Sequence, residues 1–156
     1  MADEMNAGMR SILANLDGSP RAPSVLRAAV ALARAAGAKV WLFRAVGLPA
    51  EVPPEAYSMT PDALRGLLEK RARGDLEELC REVPPDLLAG QRVALGTPWQ
   101  SICQTAKELD VDLIVVGSHG YAMLDRLLGT TAAKVVNHAD RSVLVVREPR
   151  SAEEVR

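Results

Sequence analysis

VDLIVVGSHGYAMLDRLLGTTAAKVVNHADRSVLVVR, Val111 to Arg147, carries an apolar strand, a glycine-punctuated turn, a helix and a second apolar strand, in that order. Asp112 to Val116 (DLIVV) is mostly apolar without alternation, the pattern of a strand buried on both faces. It runs straight into Gly117-Ser118-His119-Gly120. After Gly129, Thr130 to His138 forms the next helix, and Ser142 to Val146 (SVLVV) returns to strand character. Two such strands joined through a helix make a βαβ unit, so the segment predicts a parallel sheet with helices on both faces.

The same alternation extends towards the N-terminus. Ser11 to Asp17 (SILANLD) is the first strand, and it ends in the turn Asp17-Gly18-Ser19-Pro20. Pro23 opens a helix with an apolar face of Leu26, Ala29, Val30 and Ala33, and Gly37 closes it. Lys39 to Val46 (KVWLFRAV) is the second strand. Gly47 to Thr60 has no period and contains three prolines, so it is a loop and a candidate lid. Thr60-Pro61 caps a long helix whose face is Leu64, Leu68, Ala72, Leu76, Leu79 and Val83, ended by Pro84-Pro85. Gln91 to Leu95 is a short third strand. Thr97 then caps a helix with Gln100 as its reciprocal partner, and Ile102, Ala106 and Leu109 form the buried stripe. The fold class is therefore α/β: one domain over 11–147, an open five-stranded parallel sheet, with flexible segments at 1–10 and 148–156.

Composition bounds the function. The chain has 156 residues, a formal charge of -1 and 25% charged residues. Lys and Arg are spread along it, so there is no concentrated positive field for nucleic acid or an anionic membrane surface. Cys80 and Cys103 stand outside any CxxC pair, which argues against a metal knuckle or a redox motif. Met1 to Arg10 includes Asp3 and Glu4 without an apolar core of signal length, and no run is long enough to span a bilayer. A protein without nucleic-acid or membrane partners in a reduced cytoplasm is expected.

In an open parallel sheet, ligands settle outside the carboxyl ends of strands where the strand order reverses. Two strand-to-helix turns stand out: Asp17-Gly18-Ser19, and the segment from Gly117 and Gly120 to Gly129-Thr130-Thr131. Glycine lets backbone approach a ligand closely, and a following helix start offers unpaired N–H groups to phosphate. Thr130 and Thr131 add hydroxyl donors. No Lys follows the last glycine, so this is not a P-loop, and its spacing excludes the dinucleotide fingerprint. The same residues also admit a plainer reading as turn and cap residues, with Asp17 making an Asx turn. His119 and His138 lack a neighbouring nucleophile or acid in sequence, so no catalytic residue is assigned and no metal site is expected.

Val111 to Arg147, together with ILANLDGSP at Ile12 to Pro20 and Gly96-Thr97-Pro98, resembles the universal stress protein family. The resemblance covers Ser11 to Arg147 and implies a five-stranded parallel sheet. Many members bind ATP through Gly, two residues, Gly, nine residues, Gly and then Ser or Thr. Here Gly117 and Gly120 fit, with eight residues, Tyr121 to Leu128, before Gly129. The resemblance implies phosphate and ribose contacts at Gly117, His119, Gly120, Gly129, Thr130 and Thr131, with Asp17 facing the adenosine end. It also puts Asn15 in the pocket lining and Ala45 beside adenine. The implied ligand is ATP, ADP or AMP, with or without Mg²⁺.

The residues and the resemblance together leave three functions open: a nucleotide-binding regulatory module, which the resemblance places in the stress response, a slow ATP hydrolase, and a nucleotide-independent interaction protein. Binding ranks first, because the turn offers positioning groups without a recognisable base and charge clamp. The resemblance puts the last strand at one border of the sheet; its Val143, Leu144, Val145 and Val146 carry no charge to blunt an exposed edge, so a homodimer through that strand is expected.

Overall fold

The computed structural model describes residues 8–47, 54–118 and 128–148. His119 and Gly120 of the expected site, residues 48–53 of the expected lid and most of both terminal segments lie outside the described residues.

Five strands form one sheet: β1 (Ser11–Asn15), β2 (Lys39–Val46), β3 (Leu88–Leu95), β4 (Leu113–Gly117) and β5 (Ser142–Val146). Their order is β3-β2-β1-β4-β5 and every pairing is parallel. The helices are α1 (Ala22–Ala36), α2 (Pro61–Cys80), α3 (Pro98–Glu108) and α4 (Thr130–His138), with a 3₁₀ turn at Pro54–Ser58. The chain builds outward from β1 to β3, then crosses back to place β4 on the other side of β1. The order therefore reverses between β1 and β4, and their carboxyl ends flank the switch point.

The period of two in each strand splits the core into two layers. Ile12, Ala14 and Leu16 pack with Val25, Leu26, Ala29 and Ala33 of α1 and with Leu76 of α2. Leu13, Phe43, Ile114 and Val116 pack on the other face with Ile102 and Ala106 of α3 and Ala132 and Val135 of α4. Leu13, Leu42, Phe43 and Ile114 are fully enclosed, which is worth about 1.5–3 kcal/mol for each large side chain.

Local signals place most element ends. Gly37 takes the left-handed conformation at φ 70° and donates its N–H to the Ala33 carbonyl, closing α1. Thr60 accepts a hydrogen bond from the Ala63 N–H at 3.2 Å and caps α2. Other expectations are corrected. β1 ends at Asn15, because Asp17 turns the chain. β3 begins at Leu88, three residues before the expected start at Gln91, with a register shift opposite Val40 and Trp41. Gly90 hid that start: it interrupts the apolar pattern, and it is small because the Trp41 ring lies against it. Thr97 occupies the N-cap of α3 in an extended conformation but makes no side-chain cap bond, so the expected pairing with Gln100 does not form. Asp112 stays out of β4 and accepts backbone N–H bonds from Arg10 and Ser11. Among the described residues no helix is long and apolar enough to cross a membrane.

Candidate functional site

Three chain segments meet at the switch point. β1 ends in Asn15, β4 ends in Gly117, and α4 starts at Thr130 directly after Gly129. The Ser118 N–H donates to the Val146 carbonyl at 3.0 Å, and the Gly129 N–H donates to the Ser118 carbonyl at 3.2 Å. The second bond draws the two ends of the glycine segment together at the head of β4. Gly129 is buried at the N-cap of α4, and the first helical bond runs from the Ala133 N–H to its carbonyl at 2.9 Å. The N–H groups of Thr130 and Thr131 precede that bond and point out from the helix start, where its dipole favours an anion. Thr130 is exposed and Thr131 half-buried.

Asn15 differs from every other residue of β1 in being polar and buried. It is 8% exposed, and its Oδ1 is enclosed without a hydrogen-bond donor. A buried acceptor left without a donor costs about 1–3 kcal/mol. Pleating puts Asn15 on the same face as Leu13, which is the face covered by α3 and α4. Ala45, near the end of β2, packs at the edge of that layer and is half-buried. Asn15 pairs in register with Phe43, two residues before Ala45 on the same face, so Ala45 and Asn15 are diagonal neighbours.

The turn after β1 is a local device. Asp17 Oδ1 accepts the Ser19 N–H at 3.0 Å, which is the Asx turn foreseen as the plainer reading of Asp17. Gly18 has φ 76°, and a side chain there would run into the guanidinium of Arg44. Arg44 hydrogen-bonds Asp75 of α2, so one cation ties β2, the first turn and α2 together near the carboxyl ends. Sequence reasoning passed over Arg44. The available signal was its position as the one charge within the apolar stretch Val40 to Val46.

The remaining side chains singled out from sequence lie elsewhere. His138 sits at the far end of α4, with Nδ1 2.8 Å from the Lys134 carbonyl and its ring 4.5 Å from that of Trp99. The first contact assigns the proton to Nδ1. Trp41 lies against Gly90. Burial pushes the Cys80 and Cys103 thiols above the usual cysteine range, with Glu77 adding to the first and Asp140 to the second. Neither thiol is activated. Along β3 a groove of about 580 Å³ runs against α3, rimmed by the ion pair of Arg92 and Glu108. It lies two strands from the switch point and its charges answer one another. Among the described residues no three His, Cys, Asp or Glu side chains gather to hold a metal ion.

Comparison with known proteins agrees with this architecture. The sequence matches the model of the universal stress protein family over residues 8–147. Universal stress protein A homolog 1 of Coxiella burnetii is 33% identical over 144 residues, which span 88% of this chain and 95% of that protein. The structure of universal stress protein UspA from Lactobacillus plantarum superposes with a TM-score of 0.71 at 27% identity, covering 91% of this chain and all of that one. A universal stress protein solved in complex with cAMP shares the fold with a TM-score of 0.58 at 22% identity, over 90% of this chain and 98% of that one. With a family match across its whole described core and the family's parallel sheet, the chain belongs to the universal stress protein family.

Proposed function

We propose that this chain binds an adenine nucleotide, ATP with ADP and AMP as alternatives, at the carboxyl ends of β1 and β4. The observation that carries the reading is the pairing of a glycine-led helix start with a buried, donorless oxygen at the topological switch point. In this reading Gly117, Gly129, Thr130 and Thr131 hold phosphate and ribose through backbone N–H and hydroxyl groups, together with His119 and Gly120. Asp17 and Asn15 face the adenosine, and the small side chain of Ala45 leaves room for a flat base. The cAMP held by a family relative supports the choice of ligand class. Mg²⁺ would accompany the phosphates, with no protein ligand assigned to it.

The reading is one of binding and regulation in the stress response. One oxygen of Asp17 is already engaged by the turn, and no side chain among the described residues at the helix start supplies a general base. The test is calorimetric titration of the full chain. Wild type takes up ATP, while Gly129→Val loses binding and stays folded, because the added side chain sits where backbone would meet phosphate. No heat with any adenine nucleotide up to millimolar concentration refutes the proposal.

The regulatory unit in this proposal is a cytoplasmic homodimer joined through β5. That strand borders the sheet, and Val143 to Val146 are only half-buried within one chain. Pairing a second copy along this border would cover its N–H and C=O groups together with those side chains. Val145→Lys places an unpaired charge at the seam, and light scattering should then find one chain where wild type gives two.

A further inference from the structure

We infer that the free edge of β3 takes up an extended, uncharged strand of another protein, one that alternates aliphatic residues with Ser, Thr, Asn or Gln. β3 borders the sheet on the side opposite β5. In a parallel ladder alternate residues turn both backbone groups toward the neighbouring strand. The Gly96 N–H donates to the Val46 carbonyl at 2.9 Å, so Gly96, Ala94 and Arg92 face β2, and Val93 and Leu95 point their N–H and C=O groups away from it. Among the described residues none of these four outward groups is bonded. Natural edges are blunted by bulges and charge, and the first half of β3 has both, in the register shift before Gly90 and the exposed Arg92. Val93 to Gly96 has neither.

The groove of about 580 Å³ against α3 runs along that same stretch, so the edge has room for a guest backbone. Its lining decides the occupant. Arg92 Nη1 donates to Glu108 Oε2 at 3.0 Å and Gln104 Nε2 donates to Glu108 Oε1 at 3.1 Å, so both charges are answered within the chain. A charged guest would give up hydration without gaining a counter-ion. The rest of the α3 wall is Thr97, Gln100 and Ser101, whose hydroxyl and amide groups match those of Ser, Thr, Asn or Gln. On the other face of the strand Val93 and Leu95 are half-buried, and Val93 packs on the first core layer, so a guest side chain pointing that way meets aliphatic surface. Successive side chains of a strand alternate between faces, and one guest must carry both chemistries in turn. Main-chain bonds to Val93 and Leu95 then supply affinity, and the alternate side chains supply specificity. A second copy of β3 fits less well, because it brings only Ala94 and Arg92 to the α3 wall.

Amide hydrogen exchange of the full chain, followed by NMR with a short blocked peptide that alternates Val with Thr and Gln, tests this. In the free protein the Val93 and Leu95 amides should exchange quickly, while those of Ala94 and Gly96, bonded to β2, exchange slowly. With millimolar peptide both outward amides should become protected. Val93→Pro deletes one outward donor and no sheet bond, a change that an edge strand tolerates. Gln104→Trp lays a ring across the groove from an exposed helix position, and keeps the test decisive if the proline variant does not fold. Each should weaken the peptide at least about tenfold, as should Glu or Lys in place of the peptide's Thr and Gln. No protection of the two amides by millimolar peptide overturns the inference. Equal binding of neutral, acidic and basic peptides, or full affinity in Gln104→Trp, overturns it as well. Protection of both amides that rises with protein concentration before any peptide is added gives the edge to a second copy, and that too overturns it.

Discussion

At the amino ends of the strands, Asp112 Oδ2 accepts the backbone N–H groups of Arg10 and Ser11 at 2.7 and 2.9 Å, and Arg141 Nη1 donates to the carbonyls of Ala106 and Val111 at 2.7 and 2.8 Å. At the carboxyl ends, by contrast, the buried oxygen of Asn15 has no donor and α4 begins on a glycine without a side-chain cap. Both ends belong to the same five strands and share the same core. The difference is whether the chain answers its own polar groups. Where it does, the groups hold helices and strands in register; where it does not, an external molecule can be bound at the cost of local stability. In the proposed reading, stability and ligand chemistry lie at opposite ends of one sheet.

The sharpest way to break that contrast is to remove Arg141. Its side chain is 15% exposed and serves the last turn of α3, the start of β4 and Asp140 at once. Arg141→Ala removes the guanidinium bonds to the Val111 carbonyl and to the Ala106 carbonyl, the latter keeping only the Val111 N–H at 3.1 Å, and deletes a packed stem, a loss of about 2–4 kcal/mol. For a domain of this size the melting temperature should fall by roughly 5–15 °C. ATP affinity of the folded fraction should be unchanged. An undisturbed melting curve, or a tenfold loss of affinity without loss of stability, would contradict the division between the two ends. Asn15→Leu is the mirror test, expected to gain stability and lose ligand.

Arg141 also marks the limit of what could be read from the chain. β2, α4 and β5 were legible to the residue, because apolar runs of strand length and a Gly-Thr-Thr helix start are local patterns. The parallel class followed from the spacing of those runs, and the glycine turn from its position after β4. Nothing local distinguishes Arg141 from a surface arginine; its carbonyl partners lie 35 and 30 residues away in sequence. Arg44 is similar, since its guanidinium acquires a role only when the first turn and α2 fold against it. Asn15 was expected in the pocket lining through family resemblance alone, whereas its unanswered oxygen is a fact of packing. The capping box at Thr97 shows the converse: a correct local motif placed the helix end, yet its side-chain bond did not form.

The smallest expected effect refines the account of the amino end. Arg141 Nε donates to Asp140 Oδ1 at 2.8 Å, and Lys107 Nζ lies 4.0 Å from the other oxygen. The hydrogen bond from Arg141 chiefly holds the Asp140 carboxyl below its usual value of 3.8, with the charges of Arg141 and Lys107 acting in the same direction. A carboxyl whose folded pKa is depressed binds its proton more readily when unfolded, so its contribution is fully present above the unfolded pKa and disappears as pH falls through the folded one. Asp140 is exposed to solvent, which keeps the effect slight and sensitive to salt. Melting curves recorded from about pH 5 downward should show wild type losing its small advantage over Asp140→Asn below the ordinary carboxylate range. High salt should narrow the gap at every pH. If the gap instead widens on acidification, Arg141 is held in place by the two carbonyls alone and the carboxylate is a bystander.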